Sequence, residues 1–244
     1  MSAGSTFVFA VLLVCFYVLF ALSFLPTATT AVSVGATVKG FVEGEGFHRT
    51  VRYTVDTGSW KNKSCFIALY EELPSSVYVN YDELADLRRR QESNACVDGE
   101  IDVELFGERA YEQDVTACAQ LISTKTTLSF PIHQRYHFSN PSGEPVDVTL
   151  ARPVLLLGCK ERIKDHRVSK AKICSPCSEL TKKWRDVYYI WEGYNDFEWK
   201  IPVGNTSRKF LVTSMTHLVT LTGAAYVLWT IHKSFKVPKK SKDN

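Results

Sequence analysis

The sequence predicts a mainly β protein, a lumenal antiparallel β-sandwich-like domain followed by a single C-terminal transmembrane helix. Three observations carry this expectation. Period-two alternation of apolar and polar residues recurs along the middle of the chain, turn residues separate the alternating stretches, and Phe210 to Ile231 is an apolar run. The 244 residues fit one sizeable domain or two small ones. With 45% hydrophobic and 23% charged residues, the chain is neither disordered nor collagen-like.

The chain opens on Phe7 to Leu25, nineteen apolar residues ending at Pro26, followed by the small-residue stretch Thr27 to Ala31. Small residues at Thr29 and Ala31 suit cleavage before Val32, so 1–31 reads as a secretory signal peptide. The alternative is a retained anchor, because the run is long and has no basic flank before it.

The segment 32–209 reads mainly as strands. Val51, Tyr53 and Val55 alternate with Arg52 and Thr54, Ile101, Val103 and Leu105 with Asp102 and Glu104, and Val146, Val148 and Leu150 with Asp147 and Thr149. Cys65 to Tyr70, Leu128 to Ile132, Val154 to Leu157 and Val187 to Trp191 are short apolar runs suited to inner strands. Asp56 to Ser59, Asp98-Gly99 and Asn140 to Gly143 supply turn chemistry. One helix is expected at about Asp82 to Gln91. Asp82 and Glu83 open it, Arg88 to Arg90 close it, and Leu84 and Leu87 form an apolar edge. The arginines read as a solvated helix end rather than a phosphate site.

Phe210 to Ile231 holds 22 residues, and at about 1.5 Å per residue it reaches roughly 33 Å, enough to cross a hydrocarbon core. Tyr226 and Trp229 suit the headgroup layer, and five lysines follow the run. The positive-inside bias then puts 232–244 in the cytosol and 32–209 across the membrane, a type I arrangement. That tail carries Lys233, Lys236, Lys239, Lys240 and Lys242 against Asp243. Since 1–31 is uncharged, a whole-chain charge of +3 leaves the body near −1. A nucleic-acid-binding face is therefore not expected. Lys240 and Lys242, fifth and third from the end, match a dilysine retrieval signal of endoplasmic reticulum (ER) proteins, the alternative being a lysine-rich stop-transfer flank.

Cysteine usage agrees with an oxidising compartment. Cys65, Cys96, Cys118, Cys159, Cys174 and Cys177 all lie in 32–209 and allow three disulfides in fifteen pairings. Asn62-Lys63-Ser64 is a glycosylation acceptor, whereas Asn205-Thr206-Ser207 lies close to the expected membrane.

Chemical signatures are sparse. Cys174-Ser175-Pro176-Cys177 has CxxC spacing, but no strand pattern precedes it, so structural disulfides are expected rather than a thiol oxidoreductase site. No second cysteine pair has zinc spacing. His133 and His137 would share a face on a helix, yet their neighbours favour an extended chain, about 13 Å between them, and no joint metal site. Gly44-Glu45-Gly46 lacks a phosphate-loop context, and no nucleophile elbow occurs. No catalytic residue, metal or cofactor is expected.

The apolar run offers a partner face. Thr213, Thr216, Thr220, Gly223 and Ala224, with His217 beside them, share one stripe, while Leu211, Leu218 and Leu221 face lipid. Threonines can also bond their own helix backbone, but an imidazole in hydrocarbon wants a polar partner.

Gly46 to Arg49, Leu73-Pro74 leading to Val77 through Leu84, Leu87-Arg88, Pro131 to His137, Pro153 through Cys159 and Ile201 to Gly204 together resemble the phosphatidylinositol-glycan biosynthesis class X (PIG-X) family. The resemblance covers about 45–235, and its most specific piece is 131–137. It implies a non-catalytic ER subunit that stabilises a PIG-M-like multispanning mannosyltransferase, with ER membrane lipid around the helix. That partner would add the first mannose of the glycosylphosphatidylinositol (GPI) anchor precursor. The rival is a p24-type cargo receptor, which should carry a heptad-rich helix before the membrane. Residues 178–209 instead hold strand-like stretches at Val187 to Trp191 and Trp199 to Val203.

Overall fold

The computed structural model describes residues 35–236, apart from 59–60, 162, 164–165 and 194–196. The N-terminal run 1–31, with its cleavage stretch, lies outside the described residues, as do Lys240 and Lys242.

Two five-stranded sheets share one apolar core. The first has the order β11 (Tyr189–Trp191), β1 (Ala36–Glu43), β2 (His48–Asp56), β7 (Lys125–Gln134) and β4 (Val77–Tyr78). The second runs β10 (Trp184–Asp186), β9 (Val154–Cys159), β3 (Cys65–Leu73), β6 (Gln113–Gln120) and β5 (Cys96–Gly99). A separate pair joins β12 (Phe197–Ile201) to β8 (Val146–Leu150). Among the described strands, all pairings are antiparallel except β1 with β11.

Alternation decides the first sheet. Val51, Tyr53 and Val55 of β2 and Leu128, Phe130 and Ile132 of β7 point into the core. They meet Ile67, Leu69 and Leu73 of β3, Val115 and Ala117 of β6, and Leu155 and Leu157 of β9. Val148, Leu150 and Ile201 extend the same core. Gly40 of β1 is needed because an added Cβ would come within 2.7–2.8 Å of Trp191, Tyr53 and Phe197.

The second sheet is apolar on both faces, so β3 and β9 read as continuous apolar runs. Ala68, Tyr70, Cys96, Cys118, Leu156, Cys177 and Trp184 form a second cluster, with Ala171, Ile173, Cys174 and Leu180 packed against it. A loop layer covers this outer face.

Helix α1 (Tyr81–Arg89) starts where Asn80 caps it, its Oδ1 accepting from the amides of Asp82 and Glu83. Leu84 is buried and Leu87 packs on the core. The helix stops before Gln91, which adopts φ +60°. The Gln91 and Glu92 amides bond back to Arg88 and Leu87, a left-handed cap made without glycine.

Two strand expectations and one turn expectation need correction. Ile101, Val103 and Leu105 form no strand. Glu100 and Asp102 carboxylates instead accept from the Asp102 and Glu104 amides, and local turns of this kind compete with a ladder. Arg135 and Gln113 then claim the carbonyls of Asp102, Leu105 and Glu100. Asp98-Gly99 is not a turn between strands but the end of β5, with Gly99 at φ +112° against the Glu112 carbonyl. Val187 precedes β11 and only Tyr189–Trp191 pairs, because the Val187 amide bonds to Leu155 across to β9.

Helix α2 (Lys209–Lys236) is long and apolar enough to cross a membrane, and none of its apolar window is buried in the fold. A short 3-10 turn, Thr206–Arg208, leads into it, capped by Asn205. This approach is tied to the β-domain. Asn140 exchanges backbone hydrogen bonds with Gly204 and Thr206, Ser207 Oγ donates to the Pro141 carbonyl, and Asn205 Nδ2 donates to Ser142.

Candidate functional site

The stretch 131–137 is where β7 ends, and three of its side chains, His133, Arg135 and His137, have polar partners. Pro131 sits opposite Thr50, beyond the reach of β4, where a missing amide costs no ladder bond on that side. His133 lies opposite His48 in the β2–β7 register and opposite Tyr78 in β4. Arg135 is buried, and its Nη1 donates to the carbonyls of Asp102 (2.7 Å) and Leu105 (3.2 Å). Burial pulls its guanidinium below the ordinary arginine value, and its carbon lies 4.7 Å from the Tyr78 ring centre. His137 Nδ1 lies 3.1 Å from Glu108 Oε1, far from any contact with His133.

Glu83, in the first turn of α1, stands between two imidazoles. Its Oε2 is 2.7 Å from His133 Nε2 and its Oε1 is 3.4 Å from His48 Nε2. The His48 and His133 rings are 4.7 Å apart, and Tyr78 stacks on His133 at 5.0 Å. Sequence reasoning missed this grouping. The only signal was that 46–49, 77–84 and 131–137 all carried the family resemblance, and sheet register brings the three together.

The six cysteines form three disulfides. Cys65 bonds to its cross-strand neighbour Cys159, Cys96 to Cys174 and Cys118 to Cys177. Cys174 and Cys177 therefore belong to different bridges, both pinning the loop layer to the second sheet. This pairing leaves no dithiol for the oxidoreductase alternative.

Asn62 is exposed in the turn before β3, its Oδ1 accepting from the Ser64 amide and hydroxyl. On α2, Thr213, Thr216, His217, Thr220, Gly223 and Ala224 are all exposed. Two of them bond their own helix: Thr216 donates to the Val212 carbonyl, and His217 Nδ1 donates to Thr213 at 2.8 Å. With Nδ1 the donor, His217 Nε2 is left as an acceptor, so the backbone satisfies half of this imidazole. Ahead of α2 the chain forms β10, β11 and β12, not the heptad-rich helix that a p24-type cargo receptor requires.

Next to the approach to α2, Phe106 and Phe138 stack at 4.6 Å, and the Arg109 guanidinium lies 5.1 Å from the Phe138 ring centre. The Glu108 carboxyl is pushed up by burial. Amide donors, including Phe138, and His137 outweigh this and hold it below its ordinary value.

Three mammalian relatives match this chain over most of its length. A human protein is 26% identical over 199 residues, covering 78% of this chain and 77% of the relative. A rat protein is 25% identical, with 78% and 79% covered, and a mouse protein 26% identical, with 78% of each. Each of the three is named a GPI alpha-1,4-mannosyltransferase I, stabilizing subunit. The family model described as PIG-X / PBN1 matches residues 44–232, from the β1–β2 turn through the triad of His48, Glu83 and His133 and along α2. By that match the chain belongs to the PIG-X / PBN1 family.

Proposed function

We propose that this protein is the non-catalytic, stabilising subunit of a GPI mannosyltransferase I in the ER membrane. Its partner is a PIG-M-like multispanning catalytic subunit that adds the first mannose to the anchor precursor. The observation that carries the reading is the extent of the family match, which takes in the β-domain and α2 together. Any protein that binds the folded form of a partner and not its unfolded form stabilises it by mass action. A bridged β-domain beside a helix with a small-residue stripe suits such work.

In this reading 1–31 is a cleaved signal and 32–209 is lumenal, with a glycan at Asn62. Residues 210–231 span the bilayer, Leu211, Leu218 and Leu221 facing lipid and the stripe around Thr216 and Gly223 facing the partner. Residues 232–244 are cytosolic, with Lys240 and Lys242 as the retrieval signal.

Depletion of the protein tests the proposal, with the catalytic subunit and the lipid precursors followed together. The expected result is loss of that subunit and build-up of unmannosylated glucosaminyl-phosphatidylinositol. Unchanged levels of both, with slowed secretion of particular cargo, overturn it.

A further inference from the structure

We propose that His48, Glu83 and His133 form a surface site for one divalent transition-metal ion of the Zn2+ class, with its remaining coordination position open to water or to a ligand from a partner. The proposal is independent of the stabilising-subunit reading.

Three elements deliver the donors: β2 supplies His48, α1 supplies Glu83 and β7 supplies His133. One donor atom from each lies within 4.8 Å of the others. Tetrahedral zinc with ligands at about 2.0–2.2 Å needs donors roughly 3.3–3.5 Å apart. The 3.4 Å between His48 Nε2 and Glu83 Oε1 already has that value, whereas His133 Nε2 lies 2.7 Å from the other oxygen, Oε2, so the carboxyl must turn to offer a single oxygen to an ion held between the two imidazoles. Both imidazoles present Nε2, so both carry the proton on Nδ1 when the metal binds.

The donors are held from behind. The β2–β7 register fixes the two histidines opposite one another, Tyr78 stacks on the His133 ring, and Asn80 anchors the turn that carries Glu83. Two imidazoles and one carboxylate favour zinc and its neighbours over calcium or magnesium, which take oxygen ligands. The His48 side chain is 58% exposed, so the site opens outward.

The test is zinc titration of the full-length protein, purified in detergent and stripped with chelator, by calorimetry and by competition with a zinc indicator dye. The expected result is one tight Zn2+ per chain, weakened about tenfold or more in His48→Gln and in His133→Gln. Zinc should also raise the melting temperature of the parent but not of His48→Gln. His232→Gln, at the far end of α2, should bind like the parent, and Ca2+ should not compete. Because His48 is largely exposed, His48→Gln keeps the test valid even if His133→Gln fails to fold. Parent binding no tighter than that of His48→Gln overturns the proposal, as does loss of the tight site in His232→Gln.

Discussion

The Tyr53 hydroxyl donates a 2.7 Å hydrogen bond to Glu71 Oε2 in the core between the two sheets. Both side chains are buried. Burial raises the Glu71 carboxyl to about 8, against the lowering effect of the Tyr53 hydrogen bond, so it is mostly protonated at neutral pH. Burial and the nearby carboxyl also push the Tyr53 phenol far above its ordinary value.

This pair predicts an unusual pH dependence. Between the ordinary value of 4.5 and about 8, the folded state holds a proton on Glu71 that the unfolded chain has lost. The contribution is fully present below 4.5 and is lost as pH rises through about 8, at roughly 1.4 kcal/mol per pH unit within the window. Glu71→Gln keeps an acceptor for Tyr53 and should flatten the slope. Denaturant melts at pH 5, 6.5 and 8 check it, and parallel slopes for the two proteins would remove the assignment to Glu71.

Cys118→Ser with Cys177→Ser should detach half of the loop layer from the second sheet. A loss of about 2–4 kcal/mol is expected, since the bridge closes a long loop. Cys96–Cys174 still tethers the segment. Limited proteolysis should therefore cut within 160–182 before β3 or β6 is exposed.

Arg135→Met should free the stretch from Asp102 to Leu105, whose carbonyls lose their charged donor. The cost is about 2–3 kcal/mol, with the loss spread over two backbone acceptors. Hydrogen exchange should accelerate at 102–107, while β2 and β3 keep their protection. Arg135→Lys should keep part of the protection at 102–107, because both bonds come from the one nitrogen Nη1 and an ammonium also carries several donors.

Much of this fold is legible in the residues. Val51, Tyr53 and Val55 face the core as their alternation demands, and Asp82 with Glu83 marks the first turn of α1. Where reading fails, the cause is a partner remote in sequence. The alternation of Ile101 to Leu105 is that of a strand, but Arg135, some thirty positions on, takes its carbonyls. The parallel pairing of β1 with β11 and the choice among fifteen cysteine pairings depend on chain crossings that no local pattern encodes. For the same reason the four-residue spacing of His133 and His137 does not reveal that the neighbours of His133 are His48 and Glu83.

Asn62→Gln should remove the glycan, seen as a mobility shift lost from the protein and reproduced by glycosidase treatment of the parent. Asn62 is exposed, and among the described residues its Nδ2, the acceptor atom, makes no hydrogen bond of the kind that holds Asn205. Asn205→Gln should leave mobility unchanged, because its Nδ2 is already donating to Ser142 beside the start of α2.

The stripe on α2 gives the most direct test of partnership. Thr216→Leu, Thr220→Leu and Gly223→Leu together fill the face on which another helix would approach, and close packing there depends on small side chains. Co-purification with the catalytic subunit should drop, and that subunit's steady-state level with it. Leu211→Val, Leu218→Val and Leu221→Val on the opposite face should leave both unchanged, since lipid accepts either side chain. His217→Leu separates the two roles of the imidazole. Its Nδ1 bond to Thr213 lies within the helix, so helix formation is unaffected, whereas a partner that donates to Nε2 is lost. Reduced co-purification of His217→Leu at an unchanged level of this protein therefore locates the contact at that turn. Equal recovery of the stripe variant and the lipid-face variant would move the contact off α2 and onto the β-domain.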